Sequence, residues 1–185
     1  MCSWNECRRA RAGTKVLCPR GYVKESQRFT GVSCFTTLSL MSVFKTYDIR
    51  GVWGSEIDDN LAWRIGRGLA RFLKAGSFLL GYDARVHSPE LSGAIASGLA
   101  VEGAKVAGTG LASTPQLHYT QINGGFPAAV MVTASHNPPQ YHGFKVFDAR
   151  GGSLSYDKGL RKVEALLEGI PAPSTIQWQP GFCCR

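Results

Sequence analysis

The run Ala128-Ala129-Val130-Met131-Val132-Thr133 constrains the fold more than any other stretch of the chain. It is apolar and β-prone, with no polar alternation, the pattern of a strand covered on both faces. Such a strand needs helices above and below it, and the flanking sequence supplies them. From Asp58 onward, Leu61, Ile65, Leu69 and Phe72 recur at spacings of 4, 4 and 3, with Arg64, Arg67, Arg71 and Lys74 on the polar side. That is an amphipathic helix, with Asp58 or Asp59 expected to cap its start and Gly76 its end. Phe78 to Tyr82 reads as a short buried strand. Ser88-Pro89-Glu90 reads as an N-cap, a proline at the first helical position and an acid in the first turn, opening a helix to about Val101.

Ala104 to Ala107 is a further strand, Thr114-Pro115 opens a third helix, Phe144 to Phe147 is another strand, and Gly151-Gly152 a turn. Tyr156 to Leu167 is expected as one final amphipathic helix. Strands alternating with helices predict an α/β fold: a three-layer α/β/α sandwich around a mostly parallel mixed sheet, built as a single domain over residues 43–169.

The two ends differ from this middle. Residues 1–42 hold seven Lys/Arg against two Glu, a net +5, which leaves only +3 of the chain's +8 for the rest. The charge therefore does not describe a basic face on a folded domain, and nucleic-acid binding is not expected of it. Cys2, Cys7, Cys18 and Cys34 lie in this leader and Cys183 and Cys184 at the far end, at irregular gaps unlike a zinc site. The leader is expected to be unstructured or a misread start, since ordered patterning begins just after Met41. Residues 170–185 read as linker or tail. No stretch approaches the roughly 20 apolar residues that span a bilayer, so no membrane partner is expected, and the unpatterned cysteines make a reducing cytosol the simpler reading, that is, a cytoplasmic protein.

In an open α/β sheet, ligands bind beyond the carboxyl ends of the strands. The loop after the apolar run carries Ser135, His136, Asn137, Pro138-Pro139, Tyr141, His142 and Gly143, with Lys145 beyond. A hydroxyl that can accept a phosphoryl group, donors for its oxygens and a cation to neutralise it suit an anion. Ser-His-Asn-Pro-Pro is equally the composition of a tight turn, and Lys145, alternating with Phe144 and Val146, could be an ordinary solvent-facing lysine. No Gly-x-Ser-x-Gly elbow surrounds Ser135, and His136, its immediate neighbour, is poorly placed as its base, so nucleophilic hydrolysis ranks low. Tyr47-Asp48-Ile49-Arg50-Gly51 offers a guanidinium fork on a loop, or simply a glycine turn with an internal Asp48–Arg50 ion pair. In Gly81-Tyr82-Asp83-Ala84-Arg85, Asp83 and Arg85 are expected to pair and hold the loops. His87 and His118 read as surface or packed histidines.

Taken in order, Tyr47–Gly51, Gly81–Arg85, Thr133-Ala134-Ser135-His136-Asn137-Pro138 and Gly143-Phe144-Lys145 resemble the motif set of the α-D-phosphohexomutase superfamily. Tyr47–Gly51 and Ala62–Arg67 look most like its phosphomannomutase/phosphoglucomutase branch; the phosphoglucosamine branch usually has a Gly-Thr-Asp-Gly-Ile-Arg-Gly form. The resemblance covers about Val43 to Gly169. It implies interconversion of hexose 1-phosphate and 6-phosphate, of mannose or glucose, through a 1,6-bisphosphate that also serves as activator. It implies Ser135 as phosphocarrier, its phosphate a ligand of Mg2+, with Lys145 and Arg50 as acid/base or electrostatic partners and His136 in the catalytic group. Tyr47, Arg50, Asn137 and Lys145 would meet the substrate.

Two departures accompany it. His142 stands where the family usually has Asn. The family's Asp-Gly-Asp-x-Asp-Arg metal loop, Gly-Glu-x-Ser-Gly sugar-selecting loop and C-terminal phosphate-binding domain have no counterpart in the sequence. The expectation is a phosphoserine-bearing first domain without useful turnover alone, completed by downstream domains of the same enzyme. The alternative is a non-catalytic sugar-phosphate-binding or protein-interaction module on the same fold.

Overall fold

In the computed structural model, which describes residues 43–176, the apolar run becomes a central strand of a five-stranded sheet. The elements in chain order are β1 (Ile49–Val52), α1 (Asp59–Leu73), β2 (Ser77–Tyr82), α2 (Ser88–Val101), β3 (Lys105–Leu111), α3 (Thr114–Asn123), β4 (Ala129–Val132), β5 (Tyr141–Phe147), a π-helical turn (Tyr156–Leu160) and α4 (Arg161–Leu167). The leader 1–42 and residues 177–185 lie outside the described residues.

The strand order is β1-β5-β4-β2-β3. β2 pairs in parallel with both β3 and β4, while β5 runs antiparallel to β4 and to β1, so four strands share a direction and β5 opposes them. This is the mostly parallel mixed sheet expected. β1 is an addition to the expectation: Ile49-Arg50-Gly51-Val52 is an edge strand, not a loop, because Ile49 is buried in the core and Arg50 pairs with Gly143 of β5.

The pleat divides the strands between two faces. Phe78, Leu80, Val130, Val132, Phe144 and Val146 point to the larger core, shared with α1, α2 and α4, while Leu79, Ala129, Met131 and Phe147 point to a smaller one beside Leu117 of α3. On the larger side α1 and α2 are locked by glycines. A Cβ on Gly66 would lie 2.4 Å from the Ile95 carbonyl oxygen, and one on Gly98 2.1 Å from that of Trp63. On the smaller side α3 packs mainly on β2 and β4. Ile170 is buried in the larger core.

Several element ends differ from the sequence expectation. Asp58 caps α1 by accepting from the Leu61 N–H at 2.7 Å, but the helix closes on Lys74 in the left-handed conformation (φ 50°), before Gly76 is reached. The Ser88 hydroxyl does not cap α2; it donates to Asp83 at 2.6 Å. Ser113 rather than Thr114 caps α3, accepting from the Gln116 N–H. β3 runs on to Leu111, and β5 begins at Tyr141, three residues earlier than its apolar pattern suggests, because pairing with β1 carries it back. The final helix is interrupted: a π turn over Tyr156–Leu160 precedes α4, with non-helical backbone at Gly159. No helix among the described residues is long and apolar enough to cross a membrane.

Candidate phosphoryl-acceptor site

β2 and β4 lie side by side, and the chain leaves their carboxyl ends in opposite directions, toward β3 and toward β5. That divergence opens a crevice at the end of the sheet. The loop 83–87 and the loop 133–140 meet there. Asp83 continues the pairing through its N–H to the Val132 carbonyl at 3.0 Å.

Ser135 is exposed and takes a left-handed backbone, φ 57°. Such a conformation is uncommon for a residue with a Cβ and persists where surrounding contacts impose it. Those contacts are explicit. Its N–H donates to Thr133 Oγ1 at 3.0 Å, and the Asn137 N–H to the Ala134 carbonyl at 3.1 Å. Arg85 reaches across from β2 and donates to four carbonyls of this loop and its exit: Ser135 at 3.0 Å, Asn137 at 2.7 Å, Pro138 at 2.7 Å and Tyr141 at 3.1 Å. Asp83 holds the Arg85 Nε at 3.1 Å. Burial alone would raise the Asp83 carboxyl. Hydrogen bonds from the Ser88 and Thr133 hydroxyls and the Arg85 N–H, together with the Arg85 charge, outweigh it and hold the group below the usual carboxylate value.

A second network stands on the α3 face of β1 and β5. Arg50 is opposite Gly143, and Lys145 is two residues further along β5 on the same side of the pleat. Gly143 permits this close pairing, since a Cβ there would lie 2.3 Å from the Ile49 carbonyl oxygen. Asp48, only 4% exposed, accepts from both the Arg50 guanidinium and the Lys145 ammonium, the latter at 3.2 Å. Arg50 Nη1 also donates to Asn137 Oδ1 at 2.9 Å, which ties this network to the Ser135 loop.

The structure thus gathers Arg50 and Lys145 around Asp48 and joins Asn137 to them through Arg50, next to Ser135 along the loop. Lys145 is half-buried and paired, not an ordinary solvent-facing lysine. The Asp48–Arg50 ion pair forms, yet it sits within this cluster and not in an isolated turn. Tyr47 (73% exposed) and His136 stand in the open, and no hydrogen bond among the described residues draws either into the group. Asp83 and Arg85 pair and hold the loops as expected, whereas sequence reasoning missed Asp48 as the hub of two cations. That hub had a signal: Asp48 and Arg50 stand two apart in sequence, within reach of an ion pair.

Beneath the loop, on the larger-core side of β5, lies an aromatic cluster. Trp53 stacks on His87 with ring centroids 4.4 Å apart and meets His142 edge-on at 5.7 Å. His87 is therefore partnered, as is His118, whose Nε2 lies 2.9 Å from the Gly151 carbonyl. His142 is 1% exposed with an unpartnered Nδ1; burial, then the charges of His87 and Arg85, push its pKa down.

Among the described residues no group of three or more His, Cys, Asp or Glu could hold a metal ion. Both network carboxylates, Asp48 and Asp83, are committed to cations. The described side chains therefore do not fit the oxygen set that Mg2+ requires; only a phosphate on Ser135 could contribute.

Residues 41–172 match the family model for phosphoglucomutase/phosphomannomutase, alpha/beta/alpha domain I. A phosphomannomutase of Escherichia coli is 37% identical over 142 residues, covering 77% of this chain and 31% of that protein. A probable phosphoglucosamine mutase of Methanopyrus kandleri is 40% identical over 126 residues, 68% of this chain and 28% of that one. Among solved structures, a phosphoglucomutase/phosphomannomutase family protein from Burkholderia thailandensis superposes with a TM-score of 0.62 at 33% identity, covering 69% of this chain and 30% of the other. The chain spans about a third of the length of these relatives.

Proposed function

This chain belongs to the phosphoglucomutase/phosphomannomutase family, in its alpha/beta/alpha domain I, and from that premise we propose that Ser135 carries the phosphoryl group of a hexose-phosphate mutase. The observation that carries the reading is the exposed Ser135 in a left-handed backbone, next to a loop asparagine bound by Arg50.

In the proposed step a sugar hydroxyl attacks the phosphorus of phosphorylated Ser135. The bond from phosphorus to Ser135 Oγ breaks as the bond to the sugar oxygen forms, and the hydroxyl proton ends on Ser135 Oγ. Lys145 relays that proton, and Arg50 balances charge on the moving group. The reverse step, from the other end of the hexose 1,6-bisphosphate, returns a phosphoryl group to the serine. Asn137 fixes Arg50, and Tyr47 and His136 meet the sugar phosphate at the open side. Mannose or glucose phosphates are the proposed substrates. Both mannose- and glucosamine-named relatives resemble the chain at similar identity, so the likeness singles out no one sugar. Sugar choice and Mg2+ binding are assigned to parts corresponding to the relatives' remaining length. Phosphate acceptance is this chain's share, and turnover needs the rest.

The test is intact mass after incubation with glucose 1,6-bisphosphate. The full chain should gain one phosphate, absent from Ser135→Ala. A chain that stays unmodified, or a Ser135→Ala variant that still gains phosphate, refutes the reading. In that event the rival, a sugar-phosphate-binding module without covalent chemistry, is tested by titrating the same ligand.

A further inference from the structure

The contacts of Arg85 go further than pairing with Asp83. Four loop carbonyls converge on one guanidinium, contributed by residues 135, 137, 138 and 141, on both sides of the Pro138-Pro139 step. The guanidinium is planar and carries five donors in a fixed fork; a lysine ammonium has three on a flexible stem. With one donor held by Asp83, Arg85 uses the others on backbone oxygens, leaving little of its fork for a substrate. Its side chain is only 14% exposed. The Ser135 N–H donates to Thr133 Oγ1 at 3.0 Å, and the Ser135 carbonyl accepts from Arg85 at 3.0 Å. Ser135 is therefore held from both sides: its N–H by Thr133 before it, and its carbonyl by Arg85, which Asp83 anchors at the end of β2.

Resting on the reading of Ser135 as phosphocarrier, we propose that Arg85 is a positioning residue for phosphoryl transfer. Its fork imposes the left-handed backbone at Ser135 and sets where Oγ stands relative to an incoming phosphoryl group. The role is geometric and not one of charge, so a lysine at 85 should not serve. Misplacing a reacting atom by about 1 Å can cost about 100-fold in rate, and a change of that order is expected here.

The experiment uses the full 185-residue chain with Arg85→Lys and Arg85→Ala, each compared with the unaltered chain in two measurements. Amide hydrogen exchange should quicken about ten-fold or more across residues 134–141 in both variants, while α1, β2 and β4 keep their protection. Phosphorylation of Ser135 by glucose 1,6-bisphosphate, followed by intact mass, should slow about 100-fold in both, and methylguanidinium should restore part of it in Arg85→Ala. Unchanged loop exchange overturns the proposal, as does loosening of the core together with the loop. An Arg85→Lys variant phosphorylated at the normal rate overturns it too. A failure of the unaltered chain to take phosphate strikes the Ser135 reading, while the exchange result still decides whether Arg85 holds the loop.

Discussion

The two faces of the sheet are built on opposite terms. On one, α1, α2 and α4 cover the strands, and Gly66 and Gly98 let helix backbones approach so closely that a single methyl would meet a carbonyl oxygen. On the other, α3 packs mainly on β2 and β4, and the β1–β5 side carries Arg50 and Lys145 around the buried Asp48. The covered face spends its sequence on shape, the sparse face on charge. The difference teaches where tolerance lies: the close-packed face is intolerant of added volume, whereas the charged face loses one ion pair at smaller cost.

The largest expected effect tests that division directly. Gly98→Ala would set its Cβ 2.1 Å from the Trp63 carbonyl oxygen, which only a shift of α1 against α2 can relieve. Overpacking of this kind should cost about 3 kcal/mol, read as a lower urea midpoint at unchanged slope. Lys145→Met, on the other face, breaks one partly exposed ion pair and should cost about 1 kcal/mol or less. Comparable losses for the two variants would erase the contrast.

Most of the architecture was legible because it is local. The unbroken apolar run at 128–133 announced a doubly covered strand, and the stripe from Leu61 to Phe72 announced α1. What local pattern could not give was competition and pairing. Ser88 has the composition of a cap, but Asp83 offers its hydroxyl a charged acceptor, and the ion wins. β1 is too short to show alternation; only its register against β5 makes it a strand. The same holds for the site. The Asp48–Arg50 ion pair was expected within a glycine turn, and alternation already set Lys145 opposite Phe144 and Val146. The four carbonyls bound by Arg85 required knowing that β2 and β4 are neighbours, a fact of strand order that no spacing in the sequence encodes.

A smaller effect sharpens the comparison from beneath the site. His142, on the covered side, has a pKa lowered by burial and by nearby positive charge. The unfolded chain then takes up this proton at a pH where the folded chain does not. Stability is full above the unfolded value near 6.5 and falls as pH drops below it, by at most about 1.4 kcal/mol per pH unit, until the folded group titrates. Asp83, lowered as well, withdraws its own contribution only in stronger acid, below about 3.8 and through its folded value. Melting temperatures of the unaltered chain and His142→Asn between pH 8 and 5 should therefore diverge below about pH 6.5, with the asparagine variant the flatter. Parallel curves would mean that the Trp53–His87–His142 cluster tolerates the proton.

The smallest effect compares two residues with nearly the same backbone. Lys74 (φ 50°) and Ser135 (φ 57°) are the non-glycine residues with positive φ among those described, one ending α1 and the other opening the site loop. At Lys74 the conformation closes a helix, with its N–H on the Ala70 carbonyl, a task glycine performs without a Cβ penalty. Lys74→Gly should raise stability by about 0.5 kcal/mol, since relief at φ 50° is partly offset by the freer unfolded chain. Ser135→Gly relieves a similar φ, so its melting temperature should hold or rise slightly while phosphate acceptance vanishes with the hydroxyl. If Ser135→Gly instead destabilised the chain appreciably, the serine side chain would be contributing to the fold, and the left-handed backbone at Ser135 could no longer be read as strain kept for chemistry.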